Sequence, residues 1–90
     1  MARREKVTRV IDGDTFKTGS RKNPVRLANV DAPEKGRRGA ASATQALKQL
    51  IQGKEVTIDT VARDSYGRSV ANVKADGKSV NAAMRRKTRK

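Results

Sequence analysis

Ninety residues are enough for one domain around one modest core, and with 34% apolar and 2% aromatic residues that core must come from Val, Leu, Ile and Ala. Lys and Arg number 22 against 9 Asp and Glu, a net charge of +13 that calls for a polyanionic partner, nucleic acid before anionic membrane. No run is long or apolar enough to span a bilayer, and the absence of Cys and His excludes disulfides and thiolate or imidazole metal sites.

The chain opens Met1-Ala2-Arg3-Arg4-Glu5-Lys6, basic with no apolar run behind it, so no secretion signal is read there. Secreted and cytoplasmic locations both stay open. Lys6 to Ile11 reads as a first strand. Asp12-Gly13 is a hairpin signal, because Gly accepts positive φ, and Thr15 to Thr18 is the returning strand. Residues 19–24 turn the chain into a third strand that starts at Val25 and ends at Pro33, which cannot donate a ladder hydrogen bond.

The stretch Val25 to Glu34 carries one arginine, Arg26, and two carboxylates, Asp31 and Glu34. Arg26 and Asp31 lie an odd number of residues apart, so a regular strand sends them to opposite faces. They converge only if the strand twists or breaks near Asp31. Taken alone, Asp12-Gly13-Asp14 is a turn with Asp12 forming it. The functional alternative has Asp14 facing Asp31 across the paired strands, where two carboxylates bind a cation. Without Cys or His such a cation is held by oxygen, which suits Ca²⁺ or Mg²⁺. The loop Lys35-Gly36-Arg37-Arg38-Gly39 is either a solvated charge run or a basic segment that follows a phosphate backbone.

Residues 40–52 form a predicted helix, with Ala40, Ala43, Leu47, Leu50 and Ile51 as its apolar stripe and Gly53 placed to end it. Lys54 to Val61 alternates as a half-buried strand, and Gly67 to Ala75 is the last one. Asp76-Gly77 turns into a second helix with Ser79 as its N-cap and Val80, Ala83 and Met84 on its apolar side. Residues 1–84 make the domain, and 85–90 are a basic tail expected to fray. In the loop before the last strand, Tyr66 either plugs the end of a barrel or lies against a sugar or phosphate, with Arg68 forking onto phosphate oxygens.

Read together, Ile11-Asp12-Gly13-Asp14-Thr15-Phe16, Val25-Arg26-Leu27 through Asp31-Ala32-Pro33-Glu34, Asp64-Ser65-Tyr66-Gly67-Arg68 and Ala75-Asp76-Gly77-Lys78 resemble the staphylococcal nuclease (thermonuclease) family. The resemblance covers roughly residues 5 to 84, and the ordered combination of motifs is specific. It implies an α+β fold, a five-stranded OB-type barrel with two packed helices, the third family helix being absent. It implies Asp14, Asp31 and the Ala32 carbonyl as Ca²⁺ ligands, Ala32 standing where the family often has Thr. It also implies Arg26 and Arg68 on the scissile phosphate, Glu34 as the base for the attacking water and Tyr66 at the nucleotide site. Lys35, Arg37 and Arg38 sit in a loop that is short for the family.

The expected activity is Ca²⁺-dependent hydrolysis of DNA and RNA, single strands preferred, by a monomer. The rival expectation is a catalytically silent OB-fold module that binds single strands through basic grooves and stacking aromatics. Three retained acids favour the enzyme, since a pure binder of polyanions has no use for them.

Overall fold

The computed structural model describes residues 2–33 and 36–88. Its elements run β1 (Ala2–Asp12), β2 (Thr15–Thr18), β3 (Val25–Leu27), α1 (Ala40–Ile51), β4 (Glu55–Arg63), β5 (Ser69–Ala75), β6 (Lys78–Ser79) and α2 (Val80–Thr88). The strands pair antiparallel in the order β3-β2-β1-β4-β5-β6. A parallel pairing of β3 with β5, Val25 opposite Ser69 and Leu27 opposite Ala71, closes the first five into a barrel. The expected OB-type barrel with two packed helices is therefore present. The two-residue β6 is too short to carry a hydrophobic pattern and is absent from the sequence reading.

The barrel interior holds Val7, Val10, Phe16, Val25, Leu27, Val56, Ile58, Ala71 and Val73, all nearly or fully buried. Val7 and Val10 are three residues apart, which a regular strand would place on opposite faces. A register shift between Val7 and Arg9 inserts the extra residue that turns both inward. β1 also reaches further than its apolar residues suggest, because Ala2 to Lys6 pair with β4 from Asp59 back to Glu55. The buried Glu5 carboxylate there accepts hydrogen bonds from Thr18 Oγ1 (2.7 Å), Ser20 Oγ (2.8 Å) and Arg21 Nε (2.8 Å), and Arg21 Nη1 donates to Ser69 Oγ at 3.0 Å. This network ties the 19–24 turn to β1 and β5.

α1 lays Ala43, Leu47 and Ile51 over the barrel, and Gly53 stops it in the left-handed conformation at φ 74°. Gly13 is required for a different reason from the one its hairpin position suggests. Its φ is not positive. A Cβ there would lie 2.6 Å from the Ala43 Cβ and 2.8 Å from the Ala32 Cβ, so Gly13 permits the β1–β2 turn to touch α1 and the segment after β3 at once.

α2 buries Val80, Asn81 and Met84, and the Ser79 hydroxyl accepts from the Ala82 N–H at 3.2 Å as its N-cap. The helix runs on through Arg85, Arg86 and Lys87 to Thr88, so the first four residues of the expected fraying tail are helical. Arg89 and Lys90 lie outside the described residues. Asn81 performs a task invisible in the sequence. β3 ends at Leu27, which leaves the next backbone groups of β5 without a strand partner. The Asn81 side chain replaces it, Oδ1 accepting from Val73 N (2.7 Å) and Nδ2 donating to Ala28 O (2.9 Å) and Ala71 O (3.0 Å).

Candidate active site

In β3, Val25 and Leu27 face the core, so alternation turns Arg26 to the outer side. The chain does not continue as a strand. Asn29 adopts the left-handed conformation at φ 59°, and the backbone folds round the Arg26 guanidinium. Arg26 Nη1 donates to Leu27 O at 3.2 Å and Nη2 to Val30 O at 3.0 Å. The same Nη2 lies 3.5 Å from Asp14 Oδ2 and 3.9 Å from Asp31 Oδ1. The odd spacing of Arg26 and Asp31 is thus overcome by a break in the strand, and the break falls at Asn29, ahead of Pro33.

Asp14 and Asp31 do not face each other across paired strands, because the β2–β3 ladder ends at Thr15 opposite Arg26 and Asp31 lies in irregular chain beyond it. They meet instead at the Arg26 guanidinium. Asp14 is buried: Oδ1 accepts from Thr15 Oγ1 at 2.9 Å and Oδ2 from Ala32 N at 3.3 Å. Its own N–H donates to Asp12 Oδ1 at 3.2 Å, the turn-forming part expected of Asp12. Burial raises the Asp14 pKa above the ordinary carboxylate value. Asp12 adds to the rise by hydrogen bonding and charge, while Thr15 and the Ala32 N–H offset it in part. Asp31 is fully exposed.

The donors available to a metal are the Asp14 and Asp31 carboxylates and the carbonyls of the 30–33 segment, an all-oxygen set that suits a hard divalent cation. No cluster of three acidic side chains forms among the described residues. Burial disfavours the Asp14 charge even with the Arg26 guanidinium 3.5 Å away, so a further cation at this carboxylate would offset an unfavourable charge. Glu34 and Lys35 lie outside the described residues. Arg37 and Arg38 are exposed and line, with Asp31, Ala32, Pro33 and Thr88, a cleft of about 550 Å³.

Arg68 enters β5 one residue before Ser69, and Ser69, Ala71 and Val73 point into the barrel. Arg68 therefore shares the outer side with Val70, whose partner across the parallel ladder is Arg26. Two residues along one strand and one strand across put the Arg26 and Arg68 Cα atoms about 8 Å apart. Tyr66 is 81% exposed, which removes it as a plug, and the Arg68 guanidinium lies over its ring, 5.3 Å from the centroid. Both are held by Asp64, to which the sequence reading gives no role. Its Oδ1 accepts from the N–H groups of Tyr66 (3.0 Å) and Arg68 (2.9 Å), and its Oδ2 from Arg68 Nε at 2.5 Å. Burial works to raise the Asp64 pKa, but these donors outweigh it and hold the carboxyl below its usual value. Asp at the first and Gly at the fourth position of a four-residue turn is the signal that identifies such a residue.

The chain is similar in sequence to known proteins. A family model described as staphylococcal nuclease homologue matches residues 24–87. An uncharacterized endonuclease of Escherichia coli O157:H7 is 43% identical over 82 residues, covering 88% of this chain and 54% of that protein. Protein ParB of Escherichia coli is 37% identical over 92 residues, covering 90% and 52%. A micrococcal nuclease of Shigella flexneri is 38% identical over 74 residues, covering 80% and 42%. The chain spans about half the length of the curated relatives it matches.

Proposed function

The chain belongs to the staphylococcal nuclease family, and from that premise we propose that it hydrolyses phosphodiester bonds of DNA and RNA with Ca²⁺ as cofactor, single strands being preferred. The observation that carries the reading is the convergence of buried Asp14 and exposed Asp31 on one guanidinium, that of Arg26. A silent binding module gains nothing from a buried carboxylate whose ionisation its surroundings disfavour.

Asp14, Asp31 and the Ala32 carbonyl would hold Ca²⁺, which supplies fixed positive charge beside the phosphate. Arg26 and Arg68, on one side of the β3–β5 pair, bind the phosphate oxygens and stabilise the charge that grows on them as water adds. Arginine, with a pKa above about 12, donates its proton too poorly to serve as the acid, so Arg68 acts electrostatically and solvent protonates the leaving alkoxide. Glu34 takes the proton of the attacking water. Tyr66, stacked under Arg68, offers its free face to a sugar or base, and Lys35, Arg37 and Arg38 bind flanking phosphates.

The deciding assay incubates the purified chain with plasmid and with single-stranded DNA and RNA, in Ca²⁺, in Mg²⁺ and in chelator. Cleavage should need Ca²⁺, proceed faster on single strands and be weaker in Mg²⁺. Cleavage at one rate under all three conditions removes the metal assignment, and tight binding without cleavage removes the enzyme.

A further inference from the structure

Two clefts adjoin at Asp31 and Thr88. The one described above carries Arg37 and Arg38. The other, of about 660 Å³, lies between the segment after β3 and α2, lined by Asn29, Asp31, Ala82, Arg85, Arg86 and Thr88. Cations in the last turn of a helix have an ordinary explanation, since they complement the negative end of its dipole. That explanation does not account for their lining the same hollow as Asp31. Nor is this turn loosely attached: α2 is anchored by Val80 and Met84 in the core and by the three Asn81 hydrogen bonds. Among the described residues, Arg37, Arg38, Arg85 and Arg86 have no carboxylate partner, whereas Arg4, Arg21 and Arg26 do.

We propose that the last turn of α2 is a fixed wall of the substrate site, where Arg85 and Arg86 hold phosphates of a single nucleic-acid strand on one side of Asp31 while Arg37 and Arg38 hold those on the other. The inference rests on the nuclease reading for placing the attacked phosphate at Arg26 and Asp31. It adds where the rest of the strand runs. A flexible single strand can pass from one cleft to the other beside Asp31, which both share, whereas a duplex, stiff over about 150 base pairs, adapts to such a surface less readily. Arg85 and Arg86 are positioning residues that touch no reacting atom, so their contribution is to binding, equal in ground and transition states.

The test is fluorescence anisotropy with a labelled short oligothymidylate in chelator, where nothing is cut, repeated across a salt series. R85Q/R86Q should lower the slope of log K against log salt by about 1.4, two phosphates at about 0.7 each for a single strand, and weaken binding roughly tenfold. R85K/R86K should keep the parent slope. The control R3Q/R9Q removes the same charge from exposed positions on β1 that line neither cleft, and should change binding far less. In Ca²⁺, R85Q/R86Q should raise KM and leave kcat alone. A slope for R85Q/R86Q equal to that of R3Q/R9Q, or a fall in kcat with KM unchanged, overturns the proposal. The two readings fail separately: a parent that never cleaves but shows the slope change sinks the nuclease reading and leaves the wall, and a parent that cleaves with no slope change does the reverse.

Discussion

Replacing Asn81 by Ala tests how the barrel is held shut beside the site. Asn81 satisfies three backbone groups: the Val73 N–H, the Ala28 carbonyl and the Ala71 carbonyl. Ala71 O keeps a second donor, Ala28 N at 2.8 Å, so the substitution orphans two buried groups. At about 1–3 kcal/mol for each unsatisfied group, the loss should be about 2–6 kcal/mol. A domain of this length has roughly 5–13 kcal/mol in total, so a large share of the stability hangs on one amide. Urea melts followed by circular dichroism measure it directly, and Tm should fall by at least about 8 °C at about 4–8 °C per kcal/mol. Asn81→Asp keeps the shape but turns an oxygen towards two carbonyls, and should do at least as much harm at neutral pH. A loss below about 1 kcal/mol for Asn81→Ala would refute the reasoning, because water would then be replacing the amide.

Gly13→Ala should cost about 1–3 kcal/mol of overpacking, read by thermal melting, because its Cβ would press on the Cβ atoms of Ala43 and Ala32, which have no flexible end to move aside; unchanged Tm would refute the close approach. Although burial raises the Glu5 pKa, hydrogen bonds from Thr18, Ser20 and Arg21 more than reverse this, so its folded value lies below the ordinary 4.5. The stability it contributes is present above that value and lost as pH falls through the folded pKa, so melts should show Glu5→Gln well below wild type at neutral pH and the gap closing in acid. Asp14→Asn should abolish the heat of Ca²⁺ binding in calorimetry yet raise Tm in chelator, because burial disfavours the charge it removes; a lower Tm would mean that Arg26 already compensates that charge.

Elements with a repeating pattern are legible in the sequence, and single side chains that mend a break in the pattern are not. The stripe Ala43, Leu47 and Ile51 places α1 on the barrel from its spacing alone, and Ser79 marks the start of α2. The bulge at Thr8 leaves no local trace, and although Asn tolerates the left-handed conformation that Asn29 adopts, a lone Asn does not announce a break in the strand. Asn81 looks like an ordinary helix residue until β3 is found to end at Leu27. The boundary drawn at Arg85 follows from charge alone: a run of cations reads as solvated tail, while the buried Met84 behind it lets the helix run on.

The same logic explains why the candidate site forms where β3 gives out. A continuous strand would carry Arg26 and Asp31 to opposite faces. Ending it at Leu27 lets the backbone wrap the guanidinium, at the cost of β5 backbone groups that Asn81 must then satisfy from α2. Closing the turn over Asp14 needs Gly13 beneath α1, since any larger residue would push away the Ala32 segment whose N–H holds that carboxylate. The convergence of Arg26, Asp14 and Asp31 is therefore built by two contacts that belong to the helices. It follows that damage to Asn81 or Gly13, neither of which touches Arg26, should show in metal binding as well as in melting temperature. A purely local site would show it in melting temperature alone.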